Sequence, residues 1–247
     1  MVYPRTSSTL YRSGDPLQGK QLKKMLRQLS RDAAAIDPHL ARRLDRIDRW
    51  VRSLKGGSIV AKKTLALFLL ETIEDAQLFL DLRSSVSDEQ RQQCLAYLTP
   101  TEVYWYETLF PRWLRYRDPK LKVWQKKLKQ EQFAAEETEI LAAVASAIED
   151  RGGTALRRYV ADFSLATDLI ASRHQQNPLC VQLTTLSEKY HTQKMEKWQK
   201  TLQAWEIDRG LFLSYNPSRA APIDRLVNTI TYNSDNLPPG VYRTFDL

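Results

Sequence analysis

The stretch Asn177-Pro178-Leu179-Cys180-Val181-Gln182-Leu183-Thr184-Thr185-Leu186-Ser187-Glu188-Lys189-Tyr190-His191 decides how the fold is read. The Asn177 side chain offers an oxygen to the orphan N–H groups of a first helical turn, and proline suits position N1. Leu179, Leu183, Leu186 and Tyr190 then share one helical stripe, and His191, Met195, Trp198, Leu202 and Trp205 form a second, offset by about one residue. On this reading residues 178–209 are one long helix whose change of face marks different neighbours above and below.

The same punctuation recurs outward from it. A capping residue precedes proline at Asp15-Pro16, Asp37-Pro38, Thr99-Pro100, Asp118-Pro119 and Asn216-Pro217, while Gly56-Gly57, Gly152-Gly153 and Gly210 read as helix stops. The spacing predicts helices over 16–36, 38–54, 59–82, 88–98, 100–117, 119–151, 154–176 and 178–209. Pro111 is expected to kink or split the helix it sits in. Only 8 glycines in 247 residues argue against β-rich and phosphate-loop architectures. The expected fold is therefore all-α: a bundle of about seven helices, with 119–151 and 178–209 as long spine helices, a basic N-terminal hairpin and an extended C-terminal tail. The expected divisions are a flexible N-terminus (1–14), the hairpin (15–57), a helical body (58–216) and a Pro/Asn-containing strap (217–247) with a short helix around 223–230.

Charge is unevenly spread. The first 63 residues hold 15 Lys+Arg against 5 Asp+Glu, and the remaining 184 hold 22 against 24. A basic quarter on a near-neutral body points to a negative partner. In the second helix Leu40, Leu44, Ile47, Val51 and Leu54 follow strict 4-3-4-3 spacing, and Arg42, Arg43, Arg46, Arg49 and Arg52 occupy the rest of its surface. The first helix pairs its apolar stripe with Lys20, Lys23, Lys24, Arg27 and Arg31. A second cluster, residues 104–117, interleaves aromatics with Arg112, Arg115 and Arg117. It reads as a bundle corner, with Trp105 and Trp113 as candidate anchors for a partner, because interface energy concentrates on Trp, Tyr and Arg.

Motifs for chemistry are sparse. Glu188 and His191 form a Glu-x-x-His pair, but the sequence has no second such pair, and Glu71 and Glu74, which could supply further carboxylates, do not complete the di-iron pattern. They remain weak metal candidates. There is no Gly-x-Ser-x-Gly elbow, Walker loop or dinucleotide fingerprint. Cys94 and Cys180 make neither a disulfide framework nor a zinc site and read as reduced thiols. The longest strongly apolar run, 64–70, is far below the roughly 20 residues of a membrane span.

The expected function is thus non-catalytic: a cytoplasmic adaptor, assembly factor or scaffold, without a cofactor, docking an acidic protein partner or anionic surface through its basic hairpin. The alternatives are a nucleic-acid-binding protein using the same face and a helical-bundle metalloenzyme. Peripheral contact with an anionic membrane fits the basic helices as well.

Overall fold

A computed structural model describes residues 16–55, 58–85, 87–130, 135–185, 188–217 and 222–247; the side chains of 16–18, 60–61, 135–138 and 188–191 lie outside the description. In chain order the elements are α1 (Pro16–Ala33), α2 (Pro38–Arg52), α3 (Ser58–Ala61), α4 (Lys63–Arg83), α5 (Asp88–Ala96), α6 (Pro100–Tyr104), a π-helical turn (Trp105–Leu109) and α7 (Phe110–Arg115). Then follow α8 (Leu121–Gln130), α9 (Ala135–Asp150), β1 (Thr154–Leu156), α10 (Tyr159–Leu165), β2 (Leu169–Ser172) and β3 (Leu179–Thr184). The chain closes with α11 (Glu188–Ala204), β4 (Arg209–Ser214), α12 (Pro222–Asn236) and β5 (Val241–Asp246).

The fold is not all-α. The five strands form one mixed sheet in the order β1-β2-β3-β4-β5. β1, β2 and β3 pair antiparallel; β3, β4 and β5 run parallel, joined by α11 and α12 as crossover helices. The expected bundle of about seven helices with two spines is therefore overturned. Residues 178–209 divide into β3 and α11, residues 154–176 into β1, α10 and β2, and residues 119–151 into α8 and α9. In the tail, α12 covers and extends the short helix expected around 223–230, and the segment expected as an extended strap forms the edge strand β5. The predicted segment 1–14 and the Gly56-Gly57 stop lie outside the described residues.

The physical reason lies in a shared period. Leu179 and Leu183, four apart, share a face in a helix and equally in a strand. Val181 completes the strand's face, and Cys180, Gln182 and Thr184 point to the other side. Strands covered on both sides also lose the polar/apolar alternation that announces a strand. Gly210 shows the same effect. It sits inside β4, where an added Cβ would lie 2.5 Å from Leu202 and 2.8 Å from Trp198. This glycine lets α11 approach the sheet and does not stop a helix.

Two compact units divide the chain: unit 1 is Met1–Cys94 with Lys122–Gln132, and unit 2 is Leu95–Leu121 with Phe133–Leu247. In unit 1, α1 and α2 pack on each other through Leu22, Leu26 and Leu29 against Leu40, Leu44, Ile47 and Val51. Asp37 starts α2 as foreseen, accepting from the N–H groups of His39 and Leu40 at 2.9 Å each. The apolar helix α4 fills the middle, with Leu65, Phe68, Leu69, Ile73 and Phe79 buried. Of its acids, Asp75 is buried and Glu71, Glu74 and Asp81 are half-buried.

In unit 2 the two faces of the sheet have different covers. Leu169, Ala171, Leu179, Val181, Leu211 and Leu213 face α9 and α12 through Val144, Ile148, Leu226, Val227 and Ile230. Each fully buried leucine there contributes roughly 2 kcal/mol. The opposite face, with Phe212 and Tyr242, packs on Trp198 of α11 at ring-centroid distances of 5.5 and 5.9 Å.

Candidate functional site

The cations of α2 lie on two flanks that differ in their acids. One flank carries Asp45 and Asp48. Asp48 pairs with Arg52 at 2.9 Å and with Arg27 of α1 at 3.3 Å, and Asp45 pairs with Arg49 at 2.8 Å. Three of the predicted binding arginines thus have local carboxylates. Arg43 is buried and belongs to the packing of the unit. The other flank, at four-residue spacing, is Arg42, Arg46 and Trp50. Arg42 donates to the Pro38 carbonyl (3.2 Å) and contacts His39 Nδ1 (3.0 Å). Arg46 is exposed with no acidic partner among the described residues.

Helix α8 meets this second flank at Trp50. Its buried residues Leu121, Trp124 and Leu128 recur at i, i+3 and i+7 and turn it inward. Trp124 meets Trp50 edge-to-face, with ring centroids 5.6 Å apart and planes at 90°, and rests on Phe68 of α4 at 5.1 Å. The rest of α8 carries Lys122, Lys126, Lys127 and Lys129, all exposed, and not one acid. Lys122, Lys126 and Lys129 share a stripe at i, i+4 and i+7. The two tryptophans bring α8 into contact with α2 at Trp50, and the lysine stripe lies on the side of α8 turned away from Trp124. On α1, Lys20 and Lys24 are exposed and Lys23 is half-buried.

The charge division follows these units. Unit 1 contains 21 Lys+Arg against 12 Asp+Glu, a net of +9; unit 2 contains 16 against 17, a net of −1. The α8 lysines escape a reading from sequence, because within a long helix over 119–151 they are offset by the acids of the following segment. The available signal is four lysines without an acid across ten residues.

The aromatic cluster behaves differently from its expected role. Trp105 and Trp113 are 0% exposed inside unit 2, so neither presents a surface to a partner. Thr99 opens this segment with a capping box: its side chain accepts from Glu102 N–H, and the Glu102 carboxylate accepts from Thr99 N–H at 2.8 Å. At Pro111 the expected interruption takes the form of a π-helical turn between α6 and α7. The proline lacks an N–H, and the preceding turn widens so that Phe110 N–H donates to the Trp105 carbonyl five residues back. Arg112 donates to the Trp205 carbonyl at 3.3 Å, while Arg115 and Arg117 are exposed. Glu107, Arg112, Arg115, Tyr116 and Glu206 line a shallow cleft here, in which the two acids offset the two arginines.

Unit 2 also buries polar groups that serve the fold. Arg209, 7% exposed, donates to the carbonyls of Leu237 (2.9 Å), Asn177 (2.9 Å) and Ser234 (2.7 Å). Its positive charge sits at the C-terminal, partially negative end of α12, and burial lowers its pKa. Asp118 accepts from Ser164 Oγ at 2.7 Å and from Trp113 Nε1 at 3.4 Å. Cys180 is fully buried beside Tyr104, and desolvation pushes its thiol up to about 12 and the Tyr104 hydroxyl well above its ordinary value. Such a thiol is inert, since only the thiolate is nucleophilic.

Among the described residues no group of His, Cys, Asp and Glu has the arrangement of a metal site. Glu188 and His191 begin α11, but their side chains lie outside the described residues. No described helix is long and apolar enough to cross a membrane. Comparison with protein-family models, with curated proteins and with solved structures finds no match to this chain.

Proposed function

We propose that unit 1 binds nucleic acid by its phosphate backbone, through the joint face of α2 and α8. The observation that carries this reading is the exposed, acid-free lysine set Lys122, Lys126, Lys127 and Lys129 on a helix that touches α2, where Arg42 and Arg46 are exposed, through Trp124 and Trp50. Each phosphate neutralised by such a cation releases condensed counterions, which supplies affinity without sequence preference. A protein partner of acidic character, the first expectation from sequence, draws most of its energy from buried aromatic anchors. The two tryptophans expected to provide them are core residues. What remains is a dispersed cationic surface, which suits a partner of dispersed and regular negative charge.

The test is fluorescence anisotropy of a labelled mixed-sequence oligonucleotide, with polyglutamate of matched charge as competitor. The expected result is saturable binding that weakens steeply with salt and resists polyglutamate. Equal competition by polyglutamate favours the acidic-protein reading, and absence of oligonucleotide binding at low salt overturns the proposal.

A further inference from the structure

Resting on that reading, we infer that the nucleic acid taken by this face is single-stranded, with a base stacked on Trp50. Of the six tryptophans, Trp105 and Trp113 are 0% exposed, Trp124 and Trp205 2%, and Trp198 3%. Trp50 alone is partly exposed. Its place on α2 is one turn from Arg46 and two from Arg42, and its neighbour is the lysine helix α8.

The indole also packs against a buried ring. Trp124 meets it edge-on, and Trp124 is itself clamped against Phe68. A ring packed in this way before the ligand arrives loses less side-chain freedom on binding. Cations that track a backbone, with a partly exposed aromatic beside them, are the parts of a single-strand platform: the backbone is neutralised and a base covers the ring. A duplex keeps its base faces inside its own stack and can use the cations only. The ring therefore adds a preference that charge alone does not produce.

The experiment titrates the full chain with an oligothymidylate and, separately, with a duplex of equal length, following intrinsic tryptophan fluorescence and anisotropy of labelled ligand. The variants are Trp50→Leu and Trp50→Tyr. The expected result is quenching by the single strand and a preference for it over duplex of about tenfold or more. Trp50→Leu removes that preference and leaves the salt slope unchanged, and Trp50→Tyr retains most of it. Should Trp50→Leu lose cooperative unfolding, the wild-type quench and Trp50→Tyr decide. Equal affinity for both ligands without quenching overturns the stacking inference and leaves phosphate binding standing. Binding of neither ligand overturns the phosphate reading, and this inference falls with it.

Discussion

Unit 1 and unit 2 differ in net charge and in how many cations they leave exposed. Unit 1 nets +9 and displays most of its lysines and arginines, although it buries Arg43, Asp48 and Asp75. Unit 2 nets −1 and brings charge inside, where Arg209 gathers backbone carbonyls and Asp118 gathers the hydroxyl of Ser164 and the indole of Trp113. An exposed cation gains little from neighbours in water and remains available to a ligand. A buried one is committed to the fold, because leaving its partners unpaired costs more than the bonds themselves contribute. The proposed binding lies in unit 1 and the buried Arg209 and Asp118 networks stabilise unit 2, a division that can be attacked from either side.

The largest effect is expected in unit 2. Arg209→Met strands several buried carbonyls and lowers stability by about 3 kcal/mol, read from urea unfolding, while affinity for oligonucleotide in the folded protein is unchanged. A fall in affinity there breaks the division. In unit 1, charge reversal of Lys122, Lys126, Lys127 and Lys129 to glutamate weakens oligonucleotide binding by on the order of a hundredfold, with unfolding little altered. The matching reversal of Arg115 and Arg117 in unit 2 leaves binding near wild type; equal losses from both sets erase the contrast.

Smaller changes sharpen it. Gly210→Ala forces a methyl against Leu202 and Trp198 and costs about 2 kcal/mol. Asp37→Ala removes the cap of α2 and costs about 1 kcal/mol in unit 1, measurable as a lower unfolding midpoint. The last effect is nil at neutral pH. Cys180 carries a thiol raised from 9.0 to about 12, so the fold holds a proton that the unfolded chain releases. That stability is complete below pH 9 and is lost as pH climbs toward 12. Denaturant midpoints taken across that interval should fall; a flat profile contradicts the burial assigned to Cys180 and Tyr104.

Much of unit 1 is legible in the sequence because its signals are local. The Asp37-Pro38 cap, the 4-3-4-3 leucine spacing and the arginines of α2 lie within one helix. Unit 2 is less legible because its signals are shared or distant. The Leu179–Leu183 spacing suits both secondary structures, and Asn177-Pro178 precedes a strand although it reads as a helix start. Gly210 reads as a stop until Trp198 and Leu202 are placed over it. The candidate site is legible in half. The arginines of α2 are plain, but the separation of those with carboxylate partners from those without depends on helix phase and on Arg27 of α1. The lysines of α8 join them only through a tryptophan pair formed by residues 50 and 124. No sequence pattern announces that contact.

The measurement closest to the central claim is the salt dependence of oligonucleotide affinity for the wild type and for a Lys122→Gln, Lys126→Gln, Lys127→Gln, Lys129→Gln variant. If α2 and α8 form one phosphate-binding face, the logarithmic slope is steep in the wild type. In the variant it is shallower by about one for each phosphate contact removed, with the preference carried by Trp50 retained. An identical slope in the two proteins would contradict the account, because it would mean that the lysines of α8 meet no phosphate.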